Sequence, residues 1–161
     1  MALTGYLKLE GEKQGSIAGD CMQKGHENWI HCYGVDHKIE VPFDKASGER
    51  TGRRLHHPFI VTKAVDKSSP QLYQACTTGE RLKTVQVDYH RINEKGLEET
   101  YFTVKLENAQ IVHIRHTKPL TLLDVNKPLY DMEEVAFAYQ KIDWINVTAK
   151  TQASDDWQSR V

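Results

Sequence analysis

The sequence predicts a mainly β fold: an antiparallel β-barrel or closed sandwich with one short flanking α-helix near 70–78. Three observations predict it. Apolar residues alternate with polar ones in at least seven separate stretches, the period of half-buried strands. A single stretch, beginning at Ser69-Pro70, carries helical spacing. Between these stretches lie clusters of Gly, Pro, Asn and Asp, the chemistry of tight turns.

Leu3, Gly5, Leu7 and Leu9 alternate with Thr4, Tyr6, Lys8 and Glu10 and form the first expected strand. Gly11, Gly15, Gly19 and Gly25 follow at irregular intervals and mark turns rather than a phosphate-binding loop. A second strand is expected from Tyr33 to Val41, with Tyr33, Val35, His37, Ile39 and Val41 on one face, and it stops at Pro42. Residues 42–57 are polar and rich in turn formers. A connection of that length inside a compact domain predicts an exposed, functional or mobile loop. Phe59-Ile60-Val61-Thr62 is the third strand.

The helix has identifiable ends. Ser69 is suited to capping, because its hydroxyl can accept from an otherwise unpaired first-turn N–H, and Pro70 fits the first helical position. Leu72, Ala75 and Cys76 fall on one face and are the expected packing residues, while Gly79 supplies the left-handed stop. Two to three turns are too few for independent stability, so the helix needs a tertiary partner.

Strands return at Val85, Val87 and Tyr89, at Phe102, Val104 and Leu106, at Val112 and Ile114, and at Val135, Phe137 and Tyr139. Asn93-Glu94-Lys95-Gly96 is a hairpin turn, and Glu107-Asn108 is a turn or bulge. Residues 117–131, with Pro119 and Pro128, break the pattern, and Glu133-Glu134 opens a last long strand toward Val147. The expected organisation is one barrel domain over 1–149, including the loop 42–57, followed by a loose polar tail over 150–161.

With 161 residues the chain can support one core, burying roughly two-thirds of its extended surface. Its 21 basic and 22 acidic side chains nearly cancel, which argues against nucleic acid and anionic membrane as partners. Neither a secretory leader pattern nor an apolar run of membrane-spanning length is visible. Cys21, Cys32 and Cys76 are odd in number and far apart, which fits reduced thiols rather than a disulfide framework or a zinc half-site.

Catalytic and metal chemistry finds no motif. His113 and His116 are three apart in an expected strand and point to opposite faces, as do the adjacent His56 and His57. Cys76 lies on an apolar helix face rather than in the electropositive setting a thiolate nucleophile needs. Trp29, Trp144 and Trp157 are expected to fill core or interface. No catalytic residue, cofactor or bound metal is therefore expected. The competing reading is a small barrel that binds a ligand or metal in its interior, with histidines as contacts.

The segment Thr62-Lys63-Ala64-Val65-Asp66-Lys67-Ser68-Ser69-Pro70-Gln71-Leu72-Tyr73-Gln74-Ala75 resembles the signature of the hemolysin-coregulated protein family, the tube subunits of bacterial type VI secretion. The likeness continues in order through Gly25-His26-Glu27, Thr78-Gly79-Glu80-Arg81-Leu82, Tyr101-Phe102-Thr103, Tyr139-Gln140-Lys141-Ile142-Asp143-Trp144 and Asp155-Asp156-Trp157. The resemblance implies a β-barrel with a flanking helix, a homohexameric ring, and rings stacked into a tube that a contractile sheath expels. It implies no enzyme activity. The implied partners are further copies of the chain, the sheath and spike proteins of the apparatus, and secreted effectors held in the ring lumen. The implied location is the bacterial cytoplasm followed by secretion through the apparatus without a cleaved signal peptide. No fused toxin domain is expected after Trp157.

By the same resemblance the loop 42–57 takes part in ring and tube contacts. The expected assembly residues are Asp44, Lys45, Glu49, Arg50, Arg53, Arg54, His56 and His57. Arg50, Arg53 and Arg54 can meet acidic groups on a neighbouring ring, which makes stacking sensitive to salt.

Overall fold

The computed structural model describes residues 3–157. In chain order the strands are β1 Gly5–Gly11, β2 Gly15–Ile17, β3 Ile30–Cys32, β4 Gly34–Asp36, β5 Ile39–Glu40, β6 Leu55–His56 and β7 Phe59–Ala64. Helix α1, Ser69–Thr78, precedes β8 Leu82–Ile92 and β9 Glu98–Thr117. A 3-10 turn, Asp124–Asn126, leads to β10 Met132–Ala138, β11 Lys141–Asn146 and β12 Thr151–Asp156. The strand pairs are antiparallel, and the main sheet runs β2-β1-β8-β9-β10-β7-β4, with β3 added on β1 and the β11–β12 hairpin added on β9.

The curvature has a local origin. β9 is 20 residues long. Its first half lies between β8 and β11, whereas Gln110 to Thr117 pair with β10. At the switch Asn108 has φ 53°. Asparagine tolerates this left-handed conformation better than most side chains. Its amide is held there by Gln140 Oε1 at 2.7 Å and Arg81 at 3.1 Å. The expected interruption at Glu107-Asn108 is therefore a bend within one strand, not a turn between two.

At the other seam β3 pairs with β1 and the next strand, β4, pairs with β7. Between them the Tyr33 N–H donates to the Thr62 carbonyl at 2.8 Å. Residues 30–36 thus cross from one end of the sheet to the other and curl it around a core. The single strand expected from Tyr33 to Val41 is two short pieces, β4 and β5, because its partner changes from β7 to β6.

The alternation fills the barrel as the pattern requires. Leu7, Leu9, Val85, Val87, Val104, Leu106, Phe59, Val61, Val135, Phe137 and Ile142 point inward, and Leu72 and Ala75 of α1 complete the cluster. Cys76 is partly buried and packs against it. Gly79 ends α1 at φ 69°, as expected.

The start of α1 differs from expectation. Ser68, not Ser69, is the cap residue, and its side chain makes no capping bond to the helix. The Ser69 hydroxyl instead accepts hydrogen bonds from the Asp66 N–H at 3.1 Å and from Lys63 Nζ at 3.2 Å. Lys63 is fully buried, 3.2 Å from Asp66 Oδ1 and 3.5 Å from Glu133 Oε2. A buried ammonium thus fastens the helix start, β7 and β10 together. The Thr62 to Ala75 signature has this physical content: a strand end, an internal ion cluster and the helix that packs on it.

Two expectations about the C-terminal third are corrected. The last long strand breaks at Tyr139-Gln140, because β10 pairs with β7 and β9 while β11 moves to the other half of β9. Residues 151–156 are not loose. They form β12, whose six residues pair with β11 from Asp156 opposite Lys141 to Thr151 opposite Asn146. Polar composition did not prevent pairing, because an edge strand is free to carry polar side chains on its exposed faces. The Trp157 indole N–H donates to the Tyr139 carbonyl and secures the end of that strand. Residues 158–161 of the expected tail lie outside the described residues. Among the described residues no helix is long and apolar enough to cross a membrane.

Candidate functional site

The segment 42–57 is an ordered arm rather than a free loop. β5 and β6 pair at its base, Ile39 opposite His56 and Glu40 opposite Leu55. Further out, Thr51 N donates to the Pro42 carbonyl at 3.0 Å, Asp44 N to Glu49 at 2.8 Å, and Gly48 N to Asp44 at 2.7 Å. The Asp44 carboxylate accepts the Ala46 N–H at 2.9 Å, which closes the tip as an Asx turn and holds this carboxyl below its ordinary range. Gly48, at φ 76°, completes the reversal.

A partly buried polar chain, with His56 at its centre, clamps the base of the arm to the barrel. His37 Nε2 lies 2.7 Å from the Tyr139 hydroxyl, and that hydroxyl lies 2.6 Å from His56 Nδ1. His56 Nε2 lies 2.7 Å from Asp155 Oδ2, which also accepts from Arg54 Nε at 2.6 Å. One tautomer set satisfies every member: His37 donates to Tyr139, Tyr139 donates to His56, and His56 and Arg54 both donate to Asp155. The Arg54 hydrogen bond, followed by that from His56, holds the Asp155 carboxyl below its ordinary range. Burial, with the Asp155 charge second, pushes the Tyr139 phenol up. The His56 ring also stacks on Trp157, with centroids 5.5 Å apart.

The eight expected assembly residues therefore divide. Arg54 and His56 are consumed inside the chain, and His57 pairs with Glu40 at 3.0 Å. Asp44 builds the tip. Lys45, Glu49, Arg50 and Arg53 project from the arm as exposed side chains. Phe43, 58 % exposed, accompanies them as an aromatic on the same arm.

A second surface was not singled out from sequence. Residues 120–130 leave Leu120, Leu122, Leu123, Val125, Leu129 and Tyr130 at least half exposed, with Leu122 at 87 %. A lone exposed leucine needs no explanation, but six large apolar side chains in eleven residues mark an interaction surface. The available signal was apolar residues without strand or helix period, flanked by Pro119 and Pro128.

The interior-ligand reading gains little. The barrel is filled by its own side chains, and a cleft of about 410 Å³ at its rim is lined by Cys32, Tyr33, Val35, Tyr89 and Tyr101. The three cysteines are free thiols, and burial pushes the Cys32 thiol up to about 12, away from nucleophilic use.

Comparison with known proteins agrees with the geometry. The family described as "Type VI secretion system effector, Hcp" matches residues 6–145. The "Major exported protein" of Pseudomonas aeruginosa is 38 % identical over 170 aligned positions, covering 100 % of this chain and 99 % of that protein. A crystal structure of an Hcp protein superposes with a TM-score of 0.90 at 36 % identity, covering 98 % of this chain and 99 % of the other. Hcp1 of the Escherichia coli EAEC 042 pathovar gives 0.85 at 33 % identity, covering 97 % and 99 %. Signature, barrel topology and these matches agree that the chain belongs to the Hcp family of type VI secretion system proteins.

Proposed function

We propose that this chain is a structural rather than catalytic component, a subunit that closes into hexameric rings which stack into the exported tube of a type VI secretion system. The observation that carries the reading is the pairing of two unlike open surfaces on one rigid barrel: a charged arm clamped at its base and an apolar segment over 120–130. Rings and stacks require heterologous contacts, in which one patch of a copy meets a different patch of the next. The apolar segment, occupied by a second copy of this chain, suits the constant contact within a ring. The arm, with Lys45, Glu49, Arg50 and Arg53 free, suits the weaker contact between rings, where charges fix register more than affinity.

Export follows the family and the name of the Pseudomonas aeruginosa relative. On this reading the chain is made in the bacterial cytoplasm, meets the sheath and spike proteins there, and carries effectors in the ring lumen. Negative-stain electron microscopy of the purified chain tests it: rings are expected, and a chain that stays monomeric at high concentration overturns the proposal. Effector carriage is checked separately by co-purification that is lost when the rings are broken.

A further inference from the structure

On the outer face of the barrel wall three metal-ligating side chains converge. Tyr6 of β1 and Asp88 of β8 are cross-strand partners, and Thr103 of β9 lies opposite Asp88. These residues alternate with the core residues Leu7, Val87 and Val104, so their side chains leave the opposite side of the sheet. The connection between β2 and β3 covers them. Gly25, at φ 89°, turns that connection, and the next residue, His26, reaches Asp88 Oδ2 with Nε2 at 3.3 Å. His90 follows Asp88 on the same strand. One donor atom from each of His26, Asp88 and His90 lies within 4.8 Å of the other two.

We propose that His26, Asp88 and His90 form a binding site for a divalent first-row transition metal, zinc being the ion the donors suit best. Two imidazoles and one carboxylate are borderline ligands, and three protein donors leave one position for water. In a tetrahedral site with metal–ligand bonds near 2.0–2.1 Å, adjacent ligand atoms stand about 3.3–3.5 Å apart. The His26–Asp88 separation already has that value, and the His90 donor atom lies within 4.8 Å of both.

The surroundings are those of a built site. Asp88 Oδ1 accepts from Thr103 Oγ1 and Gln86 Nε2, both at 3.0 Å, which orients the carboxylate and leaves Oδ2 for the ion. His90 Nε2 lies 3.2 Å from Thr100 Oγ1. With that nitrogen donating to the threonine, Nδ1 carries the lone pair, and Nδ1 is buried without a hydrogen-bond partner. Glu98 Oε1 approaches it to 3.4 Å, within ion-pair range but not in hydrogen-bond geometry. Tyr6 stacks on His26 at 4.4 Å and 15° and meets His90 edge-on at 4.5 Å, fixing both rings. Bound metal ties the β2–β3 connection to the wall.

The test is a titration of tag-free, chelator-treated protein with Zn²⁺ by calorimetry and with Co²⁺ by visible absorption. One ion per chain and the ligand-field bands of four-coordinate cobalt are expected. His26→Ala and His90→Ala are each expected to weaken binding at least roughly tenfold, and His113→Ala/His116→Ala to leave it unchanged. No saturable binding, affinity unchanged in His26→Ala, or loss of binding in the His113/His116 variant overturns the proposal. His26 lies outside the strands, so its variant keeps the test decisive where a substitution in β8 prevents folding.

Discussion

Replacing Lys63 by methionine isolates the charge of the buried cluster, because methionine keeps most of the apolar stem. The ammonium it removes donates to Ser69 Oγ at 3.2 Å and is ion-paired with Asp66 Oδ1 at 3.2 Å and Glu133 Oε2 at 3.5 Å. Asp66 retains the Ser68 N–H at 2.9 Å and the Ser68 hydroxyl. Glu133 is 1 % exposed, and neither of its carboxylate oxygens has a hydrogen-bond partner among the described residues. The variant therefore strands a buried carboxylate, a change that costs about 3–5 kcal/mol. With a urea slope of about 2 kcal/mol per molar, the denaturation midpoint should fall by roughly 2 M. Assembly adds to apparent stability, so parent and variant must be compared at one dilute protein concentration. The double variant Lys63→Met/Glu133→Leu should recover most of the loss, since it removes both charges and keeps the volume. A single variant within about 1 kcal/mol of the parent, or a double variant that loses the sum of the two single losses, refutes the reasoning.

Three further outcomes follow from the arm and its clamp. Tyr139→Phe leaves His37 Nε2 and His56 Nδ1 without their shared partner and should cost about 1–3 kcal/mol. Amide exchange should speed up through residues 44–52, and unchanged protection there refutes the clamp. The His37 imidazole is held below its ordinary value of 6.5 by burial first and by the His56 and His57 charges next. The unfolded chain therefore takes up this proton first as pH falls. The stability His37 contributes is complete above pH 6.5 and declines as pH drops from 6.5 toward the folded value. Urea midpoints followed across that range should show a slope that His37→Gln flattens, and a midpoint that rises on acidification is the contrary result. Finally, Arg50→Glu/Arg53→Glu should change folding stability by no more than about 0.5 kcal/mol, as for exposed positions, while stacked tubes give way to single rings in electron micrographs. Normal tubes at physiological salt would remove the arm from stacking.

The elements with local causes were legible in the sequence. β1 was visible because Leu3 to Glu10 alternate without interruption, and α1 because Pro70 and Gly79 bound it. The hairpin at Asn93–Gly96 was visible because Asn93 and Gly96 carry its turn chemistry. What was not legible depends on partners distant in the chain. His56 was read as an exposed arm residue, and nothing near it predicts burial. Its partners, Tyr139 and Asp155, are 83 and 99 residues away. The tail was read as loose for the same reason, since β12 is ordered by the edge of β11 and not by its own composition. In the proposed metal site, Asp88 and His90 stand at the strand period and are legible as same-face neighbours. His26 arrives from a connection 62 residues earlier, and spacing carries no trace of it.

The attachment of Arg54 and His56 to Asp155 makes the arm a cantilever: its root is built into the β11–β12 ladder, and its tip is free. In the stacked rings proposed above, a push on Arg50 or Arg53 from a neighbouring ring would not be absorbed by a swivel at the root of the arm. It passes as torque into β12, through β11 into β9, and so into the longest strand of the wall.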